Sequence, residues 1–177
     1  DIVDAGNLTI DFNTTGVFVV TEPTKLEATI GAAVNSNQNS VIILGPGLYP
    51  QTASYTLSQN IIIIADPAVQ EQPVDARRRL QEDQTTIYDP VIYALFDSRH
   101  FVMSNASIIT DGVIFRGSLT PYLSGGIVLE TGARGFFYNT TFHDCHTAGN
   151  GGALLLSGAS SVSLGTGSLF RSNGGAQ

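Results

Sequence analysis

All-β structure made of short strands and tight turns is what this sequence predicts, and three observations predict it. Over 177 residues the chain carries 19 Gly with abundant Ser, Thr and Asn, against only 8 Lys and Arg and 15 Asp and Glu. Its apolar residues, 42% of the total, gather in strand-sized runs such as Val41–Leu44 and Ile61–Ala65. From about residue 101 the sequence begins to repeat itself. High apolar content with low charge excludes disorder, and a coiled coil or long bundle would need far more Ala, Glu, Lys and Arg. The length suits one domain, 1–177, with a real hydrophobic core.

Each element follows in order. Residues 1–22 are polar with alternating apolar positions (Leu8, Ile10, Phe12, then Val17-Phe18-Val19-Val20), which predicts one or two strands or an arm. Residues 23–36 have helical spacing: Thr21 or Thr24 can cap, Glu22 and Glu27 sit near the positive end of the dipole, and Leu26, Ile30 and Ala33 share a face. Ser40–Leu44 is a buried-type strand, Gly45-Pro46-Gly47 a tight turn, and Ile61–Ile64 a further strand. The order of amphipathic helix, apolar strand and Gly-Pro-Gly-Leu-Tyr turn over residues 17–66 resembles the N-terminal cap and first coil of the pectin-lyase-like superfamily. That resemblance implies a right-handed parallel β-helix. Residues 67–90 hold Pro67, Pro73, Pro90 and the densest run of charge, from Glu71 and Asp75 through Arg77–Arg79 to Glu82, Asp83 and Asp89, so this stretch is expected to project as a charged excursion.

The repeats carry the most information. Gly125-Gly126 leads to Phe142-His143-Asp144-Cys145; Gly151-Gly152 leads to Phe170-Arg171-Ser172-Asn173; Gly174-Gly175 starts again. The two Phe positions lie 28 residues apart and the Gly pairs recur after 26 and 23, while Asp111–Gly117 is a degenerate earlier copy. A repeat of this length cannot bury its apolar strands alone and must stack on its neighbours. Gly pairs then mark corners needing φ > 0 or close backbone approach, the Phe residues stack in register, and Asn173 or its substitute Cys145 joins an inward ladder. The pairing of Gly-Gly-Ala with Phe-x-x-Asn over residues 109–177 resembles the repeats of polymorphic outer membrane proteins. What that implies is a secreted or cell-surface solenoid, adhesive or structural.

Charge narrows the partners. A net charge of −7 argues against nucleic acid, since tracking phosphates needs clustered cations and the one basic run is Arg77-Arg78-Arg79. That run reads as a solvated loop, a processing site, or an anion or subunit contact. No apolar run reaches the roughly 18–20 residues of a membrane helix, so membrane insertion is not expected. A start at Asp1 points to a processed chain or a fragment. Sequons at Asn7, Asn13, Asn105 and Asn139 are glycosylation candidates, although a chain rich in Asn, Ser and Thr also produces such triplets by chance.

Candidate chemistry is sparse. His143-Asp144-Cys145-His146 invites a nucleophile or metal reading, but neighbours on a strand point to opposite faces, so Cys145 is expected in the buried ladder with His143 and His146 at the surface. His100, beside Arg99 and Asp97, is expected in a solvated turn. Glycoside hydrolases of the resembled fold need paired carboxyls, and its lyases need calcium-binding carboxylates with a base. The repeated region offers only Asp111, Glu130 and Asp144, with Arg116, Arg134 and Arg171. No residue set is therefore assigned a catalytic, metal or cofactor role. The expectation is a non-catalytic, secreted or cell-surface structural or adhesive glycoprotein that associates end to end with its own copies into a filament or matrix. A polysaccharide-active enzyme or carbohydrate-binding module, with extracellular polysaccharide as partner, is the alternative. The chain stops as a new repeat opens, so either it continues in a longer protein or that end docks on another copy.

Overall fold

Short strands with alternating inward and outward side chains build three parallel sheets. The computed structural model describes residues 2–4, 9–11, 16–36, 38–67, 89–95, 98–117, 119–120 and 126–175. Strands β1 (Ile2–Asp4) and β2 (Thr9–Asp11) pair antiparallel, and β3 (Gly16–Val20) leads into the sheets. The chain then visits them in a fixed rotation. Strand β3 is the edge of the first sheet and β4 (Ser40–Leu44) pairs with it, β5 (Gly47–Gln51) and β6 (Tyr55–Leu57) start the second and third sheets, and β7 (Ile61–Ala65), β8 (Pro90–Ala94) and β9 (Phe101–Ser104) repeat the tour. It continues through β10 (Ser107–Asp111), β11 (Ile114–Gly117) and β13 (Ile127–Glu130), with β12 (Leu119–Thr120) between the last two. The next circuit is β14 (Arg134–Tyr138), β15 (Thr141–His143) and β17 (Leu154–Leu156), with β16 (His146–Thr147) pairing β12. Strands β18 (Ser161–Leu164) and β19 (Leu169–Arg171) complete the described chain.

All pairings within the three sheets are parallel and in register, so inward residues form columns. In the second sheet the column is Tyr49, Ile92, Phe115, Phe142 and Phe170. The rings of Phe115 and Phe142 stack at 5.5 Å, and those of Phe142 and Phe170 at 5.0 Å. In the third sheet Leu57, Met103, Leu129 and Leu156 align, and in the first Phe18, Ile42, Ile63, Thr110, Phe137 and Leu164. Thr110 is the polar member and is fully buried. Thr140 Oγ1 donates to Tyr138 O at 2.8 Å, so Thr110 Oγ1 donates to Thr140 Oγ1 at 2.7 Å and both hydroxyls are satisfied.

Corners follow the repeat. Gly151 has φ +66°, and a Cβ on Gly152 would lie 2.4 Å from Gly174 O, so one glycine of the pair supplies the left-handed turn and the other the close approach. Asn173 Oδ1 accepts from Cys145 N–H (2.9 Å) while its Nδ2 donates to Phe142 O (3.0 Å), tying one circuit's corner to the previous one.

The helix packs against the leading end. A single 3-10 turn, Pro23–Lys25, runs into α1 (Leu26–Ser36), whose Leu26, Ile30 and Ala33 are buried. The helix touches β3, β5 and β6, the leading strand of each sheet. Neither Thr21 nor Thr24 caps it: Glu22 stands at the N-cap without a side-chain cap bond, and Pro23 at the next position has no N–H to satisfy. The Glu27 carboxylate accepts from the N–H groups of Thr52 and Ala53 and from Thr52 Oγ1 (2.9 Å), and Gln59 Nε2 donates to Ala33 O (3.1 Å). Pro50 is tolerated in β5 because that strand is a sheet edge. Of the expected charged excursion, residues 68–88 with Arg77–Arg79 lie outside the described residues, while Pro90 already opens β8.

Candidate functional site

The three acids of the repeated region lie on three different sheets. Asp111 ends β10 of the first, and its Oδ1 accepts from Asn139 Nδ2 at 2.9 Å. Glu130 ends β13 of the third, where its charge favours the charged form of Arg99 against the desolvation that lowers that group's pKa. Asp144 sits past β15 of the second at φ +54°, its Oδ2 3.2 Å from His143 Nδ1 and 3.5 Å from Arg116 Nε. Hydrolysis by paired carboxyls needs the two groups across one bond, roughly 5–9.5 Å apart on a shared face. Asp111, Glu130 and Asp144 instead each stand at the end of a strand of a different sheet.

The His143–His146 stretch separates as alternation requires. Cys145 is fully buried, and burial pushes its thiol up to about 12, far from the thiolate a nucleophile or metal ligand needs. His143 is half-buried against Asp144, and His146 is exposed. No group of three or more His, Cys, Asp and Glu among the described residues converges on a point that would hold a metal ion.

His100 corrects the expectation of a solvated turn. It is fully buried, with its ring edge-on to Phe115 at 5.1 Å. Gln51 holds it: Gln51 Nε2 donates to Ala53 O (2.8 Å) and His100 O (2.7 Å), so Gln51 Oε1 accepts from His100 Nδ1–H at 3.1 Å. His100 Nε2 makes no hydrogen bond among the described residues. Burial lowers the pKa to about 3, only partly opposed by the Arg116 backbone. The flanking Arg99 and Asp97 mislead because the partner, Gln51, is 49 residues away and meets His100 only through parallel stacking.

A second feature escapes sequence reading. Register sets Tyr93, Arg116, His143 and Arg171 in one outward column on the second sheet, at the sheet spacing of about 4.8 Å. Each follows an inward residue of the core column, Ile92, Phe115, Phe142 or Phe170, and that position is the only trace in the sequence. Asp144 answers two of the three basic groups. The sequons divide: Asn105 (φ +51°) and Asn139 (φ +44°) are exposed at left-handed corners on opposite margins of the first sheet, whereas Asn7 and Asn13 lie outside the described residues.

The last circuit is unlike the others. Leu156, Leu164 and Phe170 are 41%, 50% and 43% exposed, whereas the residues in register one circuit earlier, Leu129, Phe137 and Phe142, are fully buried. Compared with known protein families, curated proteins and solved structures, the chain matches none.

Proposed function

We propose that the three sheets are the faces of a right-handed parallel β-helix, and that this solenoid is a non-catalytic structural or adhesive element of a secreted or cell-surface glycoprotein, assembling end to end with its own copies. Handedness rests on a general rule: connections between parallel strands of one sheet are right-handed in about 98% of cases. The observation that supports the functional reading is circuit-on-circuit burial itself: the inward columns of all three sheets are buried in register through consecutive circuits, which is how a solenoid gains stability by stacking. Separation of Asp111, Glu130 and Asp144 over three sheets supports a non-catalytic role, and exposed Asn105 and Asn139 suit glycan attachment. Sedimentation velocity and electron microscopy of the isolated chain test it. Concentration-dependent assembly is expected, and a strictly monomeric species at high concentration overturns it.

A second reading, a carbohydrate-binding module, rests on the outward Tyr93–Arg116–His143–Arg171 column, since planar aromatic and guanidinium groups can stack on sugar rings and pair with acidic ones. Affinity electrophoresis in neutral and acidic polysaccharides checks it: retardation abolished by Arg116→Ala with Arg171→Ala supports this reading, and unretarded wild-type protein removes it.

A further inference from the structure

We infer that Asn150 is a site of hydrolytic self-modification, converted through attack by the Gly151 nitrogen to an isoaspartyl or aspartyl residue. Asn173, in the same sequence context, is held against that reaction. Asn-Gly-Gly occurs twice, at 150–152 and 173–175, and no other asparagine of the chain precedes a glycine. Sequence ranks the two sites alike: asparagine is a thermally labile residue, and a following glycine, lacking a Cβ, leaves its N–H open to the preceding carboxamide. The structure separates them.

At Asn173 both reacting groups are engaged. Its Oδ1 accepts from Cys145 N–H (2.9 Å), its Nδ2 donates to Phe142 O (3.0 Å), and the Gly174 N–H that would attack donates to Cys145 O (3.0 Å). Ring closure there breaks three hydrogen bonds that tie one circuit to the previous one. Asn150 lies in the turn between β16 and β17, and it is exposed. Among the described residues the Gly151 N–H makes no hydrogen bond. Glycine is also obligatory at this position: Gly151 has φ +66°, and a Cβ on it would run into Leu154 O. The corner that the fold requires is thus what gives Asn150 its least hindered neighbour.

The chemistry needs only water. The Gly151 nitrogen forms a bond to Asn150 Cγ and gives up its proton, the Cγ–Nδ2 bond breaks, ammonia departs, and a succinimide ring remains. Water then opens either ring carbonyl. Opening at Cγ gives aspartate, and opening at the backbone carbonyl carries the chain through Cβ and Cγ as isoaspartate; nothing is oxidised or reduced. Either product puts a carboxylate into a stretch, Thr147 to residue 175, whose only charged side chain is Arg171.

Peptide mapping by mass spectrometry of the whole 177-residue chain, kept folded at mildly alkaline pH, tests this. Cleavage at Arg134 and Arg171 puts the two sites on separate peptides, and enzymatic methylation of isoaspartyl carboxyls is the second readout. The peptide holding Asn150 is expected to gain the mass of an amide-to-acid conversion at least about tenfold faster than the peptide holding Asn173. In urea the two rates are expected to converge, because the sequence context is shared. Asn150→Gln is expected to leave its peptide unmethylated. Should that variant misfold, the wild-type rates in the folded and urea-unfolded chain decide alone. Equal rates in the folded chain, faster conversion at Asn173, or an Asn150 that stays intact while the unfolded chain converts overturns the inference.

Discussion

The first and last described circuits differ in what covers their apolar columns. At the leading end one amphipathic helix packs on β3, β5 and β6 with Leu26, Ile30 and Ala33 buried and Leu26 and Ile30 joining the core, while Val17 and Val19 of β3 stay 61% and 64% exposed. Glu27 pins the helix to the β5–β6 turn, and Gln59 takes the carbonyl of Ala33 near its C-terminal end. At the trailing end the same columns run out into Leu156, Leu164 and Phe170 with nothing beneath them among the described residues. The difference teaches that burial here belongs to stacking and not to residue type. Phe142 and Phe170 occupy equivalent positions on consecutive strands, yet one is fully buried and the other 43% exposed.

Truncating that pair gives the sharpest comparison. Phe142→Ala is expected to cost about 3–5 kcal/mol, because it leaves a cavity between Phe115, Phe137 and Phe170, whereas in the 177-residue chain Phe170→Ala, at a side chain 43% exposed, should cost less than half as much in dilute solution. Urea denaturation of both variants measures it. If copies cover the trailing end, the Phe170→Ala penalty should grow with protein concentration, as linkage to association requires. Equal penalties at low concentration would break the comparison.

At the capped end, Ile30→Ala should cost about 2–4 kcal/mol, and Leu164→Ala much less, since its side chain is already half in water. Thermal melts of the two variants side by side report this. The interior between the ends is probed by pH. His100 titrates near 3 when folded and near 6.5 when unfolded, so below pH 6.5 the unfolded chain binds the extra proton. Its contribution to stability is complete above pH 6.5 and falls by up to about 1.4 kcal/mol per pH unit as the pH drops towards 3. His100→Gln should flatten that part of the stability profile. The smallest effect is expected at the helix pin: Glu27→Gln removes charge from three hydrogen-bonded contacts at a partly exposed site and should cost about 1 kcal/mol. Hydrogen exchange at the Thr52 and Ala53 amides would show whether the loss is confined to the cap.

Much of this arrangement is legible in the residues. The face of α1 is read from the spacing of Leu26, Ile30 and Ala33, and strands β4, β7, β13, β14, β17 and β18 lie at or within a residue or two of their apolar runs. The Gly-Gly corners and Phe columns follow from a repeat of 27 residues between the starts of β10, β14 and β18. Strand β8 is harder to read, because it begins at a proline directly after a charged stretch. Strands β5 and β6 contain Pro50 and only short apolar alternations, so their pairing with β8 and β9 defines them more than their own composition does.

What the sequence determined by itself is periodic: which residues recur, which face of each short strand is apolar, and where glycine must turn the chain. These are local properties, set by side-chain alternation and backbone sterics. Only the tertiary structure decided what depends on register between distant residues. It drew Gln51 against His100 and buried a histidine that its neighbours mark as solvated. It aligned Arg116, His143 and Arg171 in one column and dispersed Asp111, Glu130 and Asp144 over three sheets. The exposure of Phe170 was decided there too, because an apolar side chain is buried only when another layer covers it.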